Sequence, residues 1–145
     1  MKVATTSRIH ASRDAVFAAL IDPAVLQRTI PGCESLVAVG EDDYEAVLKM
    51  GVAGLKGTYT GTAQIREKYP PESLRLSFAG KGSPGFVRGS AAVRLSEDDG
   101  FTVVASEADV QVGGLIAAVG SRLIEAAARK LSDDFFNQLA REIRS

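Results

Sequence analysis

The chain has 145 residues, 46% of them apolar and 24% charged, with 17 Lys plus Arg against 18 Asp plus Glu and a formal net charge of −1. A chain of this size and composition makes one domain with a sizeable core, which excludes an extended disordered chain. The balanced charge excludes the basic footprint of a nucleic-acid-binding surface.

A single cysteine, Cys33, excludes an intrachain disulfide and any multi-cysteine metal site. With His10 the only histidine, no metal and no cofactor are expected. No basic leader precedes an apolar run at the start of the chain. The longest apolar run, Gly113–Gly120, is far shorter than the roughly 20 residues of a membrane span. These features predict a soluble, cytoplasmic, single domain over residues 1–145.

In chain order, Val3–His10 is rich in Val, Thr and Ile and predicts a strand. Ser12 is a candidate helix N-cap, Asp14 suits the first turn, and AVFAALI (Ala15–Ile21) follows as a short helix stopped at Asp22-Pro23. A second short helix is predicted over Ala24–Thr29, ending at the Ile30-Pro31-Gly32 turn. From Cys33 to Val112 the hydrophobic period is two, as in Tyr44-Glu45-Ala46 to Val52 and in Ser73 to Phe78. Turn chemistry at Gly40–Asp43, Tyr69–Glu72, Gly82–Gly85 and Glu97–Gly100 divides this region into about six antiparallel strands.

After Gly113-Gly114 the period becomes helical. Leu115, Val119, Leu123, Ala127, Leu131, Phe135, Leu139 and Ile143 recur every four residues, widened by Ile116, Ile124 and Phe136. Because the α-helical period is 3.6, this stripe drifts around the helix, as expected for a helix wrapped by a curved surface. One continuous helix of roughly 45 Å is predicted. Gly51, Gly54, Gly57 and Gly61 fall where bends or bulges would let the sheet curve. The predicted fold is α+β: strand, two short helices, six strands and a long C-terminal helix, with the curved seven-stranded antiparallel sheet gripping that helix.

Candidate chemistry is sparse. GVAGLKGTYTG lacks both the Gly-Lys-Ser/Thr ending of a P-loop and a dinucleotide GxGxxG, so its glycines read as bends. Cys33 reads as a structural thiol and His10 as a strand-end residue. Glu107, Asp109 and Gln111 share one strand face, opposite Ser106, Ala108, Val110 and Val112, and read as solvated. Thr58, Thr60, Thr62, Gln64 and Arg66 read as another outer face, opposite Tyr59, Ala63 and Ile65. Arg88, beside Phe86 and Ser90, would be a site candidate only on an inner face. No nucleophile, base and orienting group stand together. The abundant inner-facing apolar residues, among them Phe17, Met50, Tyr59, Phe78 and Phe86, either fill a core or line a hydrophobic pocket.

Four segments carry a family resemblance: DPAVLQRTIPGCESL (Asp22–Leu36), GVAGLKGTYTGTAQI (Gly51–Ile65), GKGSPGFVRGSAAVRL (Gly80–Leu95) and VQVGGLIAAVGSRLIEAAARKLSDDFFNQL (Val110–Leu139). Together they resemble the carbon monoxide dehydrogenase G-subunit family, within the SRPBCC superfamily of START-like, birch-pollen-allergen-like helix-grip domains. The resemblance implies a hydrophobic-ligand cavity under the long helix and no catalytic motif. It implies association with molybdenum-containing CO dehydrogenases and related hydroxylases, linked to the membrane by a carried quinone or similar lipid. From the matched segments it implies a cavity wall or mouth at Leu26, Ile30, Pro31, Leu115, Val119 and Leu123. With the apolar sheet and helix faces, which add Leu20, Leu48, Leu76 and Val110 to the five residues above, these form the expected ligand-binding set. Some relatives continue past the long helix into a membrane-binding tail, whereas this chain stops at Ser145. The basic residues of the last helix are offset by Glu125, Asp133, Asp134 and Glu142, so at most peripheral membrane contact is expected.

Three functions compete. A non-catalytic carrier of a quinone- or lipid-like molecule, serving a molybdenum hydroxylase, is favoured. An assembly factor for that enzyme would act through its surface. A cyclase- or hydrolase-like enzyme would need His10, Arg88 or Asp109 to point inward.

Overall fold

Local sequence signals build the first third of the chain. The structure, a computed structural model, describes residues 1–51 and 55–144. Val52 and Gly54, read above as a strand position and a bend, lie outside the described residues. Strand β1 (Lys2–Ile9) leads into helix α1 (Arg13–Leu20), whose N-cap Ser12 accepts from the Ala15 N–H through its hydroxyl at 3.1 Å. Asp22 then caps helix α2 (Pro23–Thr29), its carboxylate accepting from the Ala24 N–H at 3.0 Å. Helix α2 starts one residue earlier than the sequence suggests. Proline at the first helical position has its φ preset and no N–H to leave unsatisfied, so it opens this helix as well as closing the one before.

Strands β2 (Cys33–Gly40), β3 (Asp43–Met50), β4 (Gly57–Tyr69), β5 (Ser73–Gly82), β6 (Gly85–Asp98) and β7 (Phe101–Gly113) follow as antiparallel hairpins. The β6–β7 turn is Asp99-Gly100, with φ of 50° and 81°, the primed geometry that matches the twist of the flanking strands. All seven strands form one sheet in the order β1-β7-β6-β5-β4-β3-β2. Consecutive β1 and β2 are therefore its two opposite edges, and α1 and α2 cross the gap between them. The helix-grip layout expected from the sequence, with helix α3 (Ser121–Arg144) against the inner face, is the one observed.

The long helix departs from expectation at its start. Gly114–Val119 forms a separate 3-10 helix, and Gly120 breaks the path with φ 92°. Helix α3 is 24 residues long, or about 36 Å at 1.5 Å per residue, and not the roughly 45 Å expected. It is fastened at several points. The Arg129 guanidinium donates to the Ala4 carbonyl of β1 at 2.8 Å, and Arg28 of α2 donates to Glu142 at 2.7 Å.

The main core lies where α1 and the C-terminal half of α3 meet the sheet. Val16, Phe17, Leu139 and Phe136 pack there with Ile9, Leu95 and Val104. A smaller cluster of Tyr59, Ile116 and Ile124 closes the other end.

The join between α2 and β2 rests on Gly32. Its φ is +73°, a Cβ there would collide with the Lys49 carbonyl oxygen, and its own carbonyl accepts from the Lys49 N–H at 2.8 Å. Gly32→Ala is expected to destabilise the fold by about 1–3 kcal/mol. Urea denaturation should show this as a lower midpoint; an unchanged midpoint would mean the turn relaxes freely.

Candidate functional site: an apolar cavity under the long helix

Between the two core clusters the sheet and α3 do not meet. Between them lies a cavity of about 510 Å³, partly open to solvent, within the range of small-molecule sites. Its cause lies in the strand register. Ala46, Gly61 and Gly80 are directly paired across β3, β4 and β5, so three adjacent positions of the inner face carry almost no side chain. Ala63 and Ala91 lie on neighbouring rows, and Ala128 faces them from α3. Larger residues ring this gap: Leu26, Ile30 and Pro31 from the α2 end, Leu48, Met50, Leu76 and Phe78 from the sheet, Leu131 and Phe135 from the helix.

No Asp, Glu, Lys, Arg or His lies among the described residues that line the cavity. The polar lining groups are few. Tyr59 donates its hydroxyl to the Leu55 carbonyl at 2.8 Å, and burial pushes its pKa up. Burial also raises the Tyr44 phenol, with the carboxylate of Asp42 adding to the effect. Ser106 of β7 and Ser132 of α3 supply two further hydroxyls, Ser132 donating to Thr5 of β1 at 3.3 Å. Among the described residues no group of three or more His, Cys, Asp or Glu is placed to hold a metal ion.

Ten residues of the expected binding set line the cavity: Leu20, Leu26, Ile30, Pro31, Leu48, Met50, Tyr59, Leu76, Phe78 and Val110. Five stand elsewhere. Phe17 is 3% exposed but packs into the core between α1 and α3. Phe86 opens β6 in phase with Arg88 and points outward, 42% exposed, its ring against Gly113. Leu115 and Leu123 are 75% and 60% exposed, and Val119 packs behind the Tyr59–Ile124 cluster.

The break at Gly120 explains Leu115, since a phase carried back from α3 has no meaning beyond it. Leu123 fails by geometry. At 100° per residue it points about 80° away from Leu131, whereas Ile124 lies only about 20° away and is the residue that reaches the cavity. The same drift carries Leu139 and Ile143 around the helix at its other end, but there α1 and α2 cover that flank.

Other lining residues were absent from the expected set: Leu36, Tyr44, Ala46, Ala63, Ile65, Leu74, Val93, Phe135 and Phe136 among them. Strict alternation along β3 to β6 carries a signal for most of these. The small residues carry none, because an alanine or glycine matters here only through what stands beside it.

The residues weighed for catalysis point outward. His10 is exposed and stacks on Phe101 at 4.5 Å, with Arg8 4.0 Å from the same ring. Arg88 is exposed and donates to Gln111 at 2.9 Å; Glu107, Asp109 and Gln111 are exposed too. Cys33 is half-buried, its Sγ 3.4 Å from the Ser35 carbonyl, and burial raises its thiol pKa. A second, open groove of about 610 Å³ crosses the outer face of β2 to β6, lined by Val37, Val47, Lys81, Phe86 and Arg88 among others.

The family model for the carbon monoxide dehydrogenase G-subunit (CoxG) matches residues 6–144. The chain belongs to this family. A crystal structure of a conserved protein from Geobacillus kaustophilus is similar at 32% identity and a TM-score of 0.96, covering 99% of this chain and 95% of that one. A START superfamily protein from Mycobacterium smegmatis (9% identity) and Ara h 8.0201 (11% identity) each align with a TM-score of 0.76, over 99% of this chain and 97% of theirs. At that identity these two show the fold alone, and the fold is the START-like, birch-pollen-allergen-like helix grip. A comparison with curated proteins found no match.

The cavity's geometry makes opposite demands on two substitutions in α3. Filling the gap with Ala128→Phe should weaken binding of the uncharged dye Nile red by at least tenfold, equivalent to about 1.4 kcal/mol. Leu123→Glu, on the solvent side of α3, should leave dye fluorescence titrations unchanged. Equal effects of the two would place the dye outside the cavity.

The phenols give a pH dependence. Both are harder to ionise in the fold than a tyrosine of ordinary pKa 10.0. Above that value the unfolded chain loses its tyrosine protons first, so stability falls as the pH rises through and beyond it. Urea midpoints should drop from about pH 9 to about pH 11, and a Tyr44→Phe, Tyr59→Phe variant should show a shallower drop. A drop of the same slope in the variant would assign it to other groups.

Proposed function

We propose that this member of the CoxG family is a non-catalytic binding protein for a hydrophobic, quinone- or lipid-like molecule. In this reading it assists a molybdenum-containing, CO dehydrogenase-type hydroxylase. One observation carries the reading: a cavity whose wall is almost wholly hydrocarbon and has no carboxylate, imidazole, ammonium or guanidinium among its described lining residues. Such a wall stabilises an apolar ligand by removing it from water and offers it no chemistry. The family's name supports the link to a CO dehydrogenase. The outward positions of His10, Arg88 and Asp109 take away the groups on which an enzymatic reading would rest.

Among the described residues no helix is long and apolar enough to cross a membrane. A carried ligand would then move between the hydroxylase and a lipid phase with the protein as its vessel. Native mass spectrometry of freshly purified protein, followed by organic extraction, tests this directly. A stoichiometric apolar molecule, lost in Ala128→Phe, is the expected result. A protein that arrives empty and takes up no added quinone or lipid would refute the reading.

The exposed Val37, Val39 and Phe86 on the outer face favour a second reading, in which the surface recruits the hydroxylase. A pulldown of the enzyme that survives Ala128→Phe would support that reading over the first.

A further inference from the structure

The cavity wall is almost wholly hydrocarbon, yet two hydroxyls interrupt it at one place. Ser106 on β7 and Ser132 on α3 both line the cavity. They are brought together by Thr5 of β1. Thr5 is directly opposite Ser106 in the β1–β7 ladder, where facing Cβ atoms lie about 5 Å apart. From the helix above, Ser132 donates to the Thr5 hydroxyl at 3.3 Å.

The other polar atoms of the wall are committed or remote. The Tyr59 hydroxyl is spent on the Leu55 carbonyl, and Thr62 belongs to the outer face. Tyr44 lies on a different strand row and feels the charges of Asp42, Lys68, Asp22 and Asp43. The Ser106 hydroxyl has no hydrogen-bond partner among the described residues. Ser106 is half-buried and its hydroxyl opens onto the cavity, so a ligand that displaces water from it must replace that hydrogen bond or leave a buried polar group unpaired.

We propose that Ser106 and Ser132 are the polar anchor of the cavity, and that its ligand is an uncharged molecule with a carbonyl or hydroxyl oxygen on a hydrocarbon body. Ser106 donates to that oxygen. Ser132, whose proton goes to Thr5, accepts from a ligand hydroxyl where there is one. The absence of any cationic side chain among the described lining residues excludes a carboxylate or phosphate head at this depth, since an unpaired buried charge is far more costly than an unpaired hydroxyl. Free fatty acids and phospholipid head groups are therefore rejected, and neutral ketones, quinones and alcohols are accepted.

The inference rests on the cavity being a binding site, and the test separates the two claims. Delipidated protein is titrated with dodecane, 2-dodecanone and dodecanoate at pH 8, by displacement of Nile red. Water also hydrogen-bonds the ketone, so the anchor is read from the ratio of ketone to alkane affinity, which it should raise about three- to tenfold, the size of one net hydrogen bond. Dodecanoate is expected to bind more weakly than both. In Ser106→Ala and in the Ser106→Ala, Ser132→Ala double variant that ratio should fall by the same factor, while Ser106→Thr, which keeps the hydroxyl, should restore it. The single Ser106→Ala variant breaks no bond within the chain, so it serves if the double variant fails to fold. A ketone-to-alkane ratio unchanged in Ser106→Ala would overturn the anchor and leave the cavity reading standing. Dodecanoate binding as tightly as the ketone would overturn the restriction to uncharged ligands. Binding of none of the three, dye included, would remove the cavity reading and the anchor with it.

Discussion

The structure depends on one mismatch of sizes: a single α-helix lies inside a curved sheet that is too wide for it to fill. Helix α3 must bury its stripe of Ile124, Ala127, Leu131, Phe136 and Leu139 to be stable at all, because helical stability in a protein comes mainly from such burial. At its C-terminal half the stripe is met by α1, α2 and the large residues of β1, β6 and β7, and the core is dense there. At its N-terminal end Tyr59 and Ile116 close around Ile124. Between these two points the sheet offers Ala46, Gly61 and Gly80 in one row, and the helix answers with Ala128. The cavity is the part of the interface in which neither partner supplies side-chain volume.

A void of this kind forfeits dispersion contacts and costs stability while it is empty. The surrounding structure bears that cost through two clusters at its ends and ties across it. Arg129 to Ala4 ties α3 to β1, and Arg28 to Glu142 ties it to α2. An apolar occupant restores the missing contacts, so the feature that weakens the empty protein is also the one that gives a ligand its binding energy. The same wall has little power to distinguish ligands of similar shape. Selectivity is left to the few polar atoms, and this gives two serines a weight out of proportion to their size.

Much of the fold was legible in the sequence. Alternation in β3 to β7, the turn residues between them and the Asp22-Pro23 junction act over a few residues, and short-range steric and hydrogen-bonding preferences decide them. The inward and outward faces of β4 and β7 were legible for the same reason: Thr58, Thr60, Glu107 and Asp109 point out because their neighbours Tyr59 and Val110 point in. The start of the long helix was not. Reading one stripe from Leu115 to Ile143 assumed a continuous helix, and Gly120, with open space where a Cβ would stand and φ 92°, resets the direction of everything before it. Leu123 and Ile124 are adjacent apolar residues on one helix, and only the direction of the sheet decides which of them is inside.

By itself the sequence determined the order of elements, the sidedness of most strands and the scarcity of groups able to do chemistry, because each follows from local periodicity and residue type. Only the tertiary structure decided that the interior is hollow. Emptiness comes from Ala46, Gly61, Gly80 and Ala128 standing opposite one another across hairpins and a helix. Strand register and the rotation of α3 set that juxtaposition, and no spacing along the chain records it.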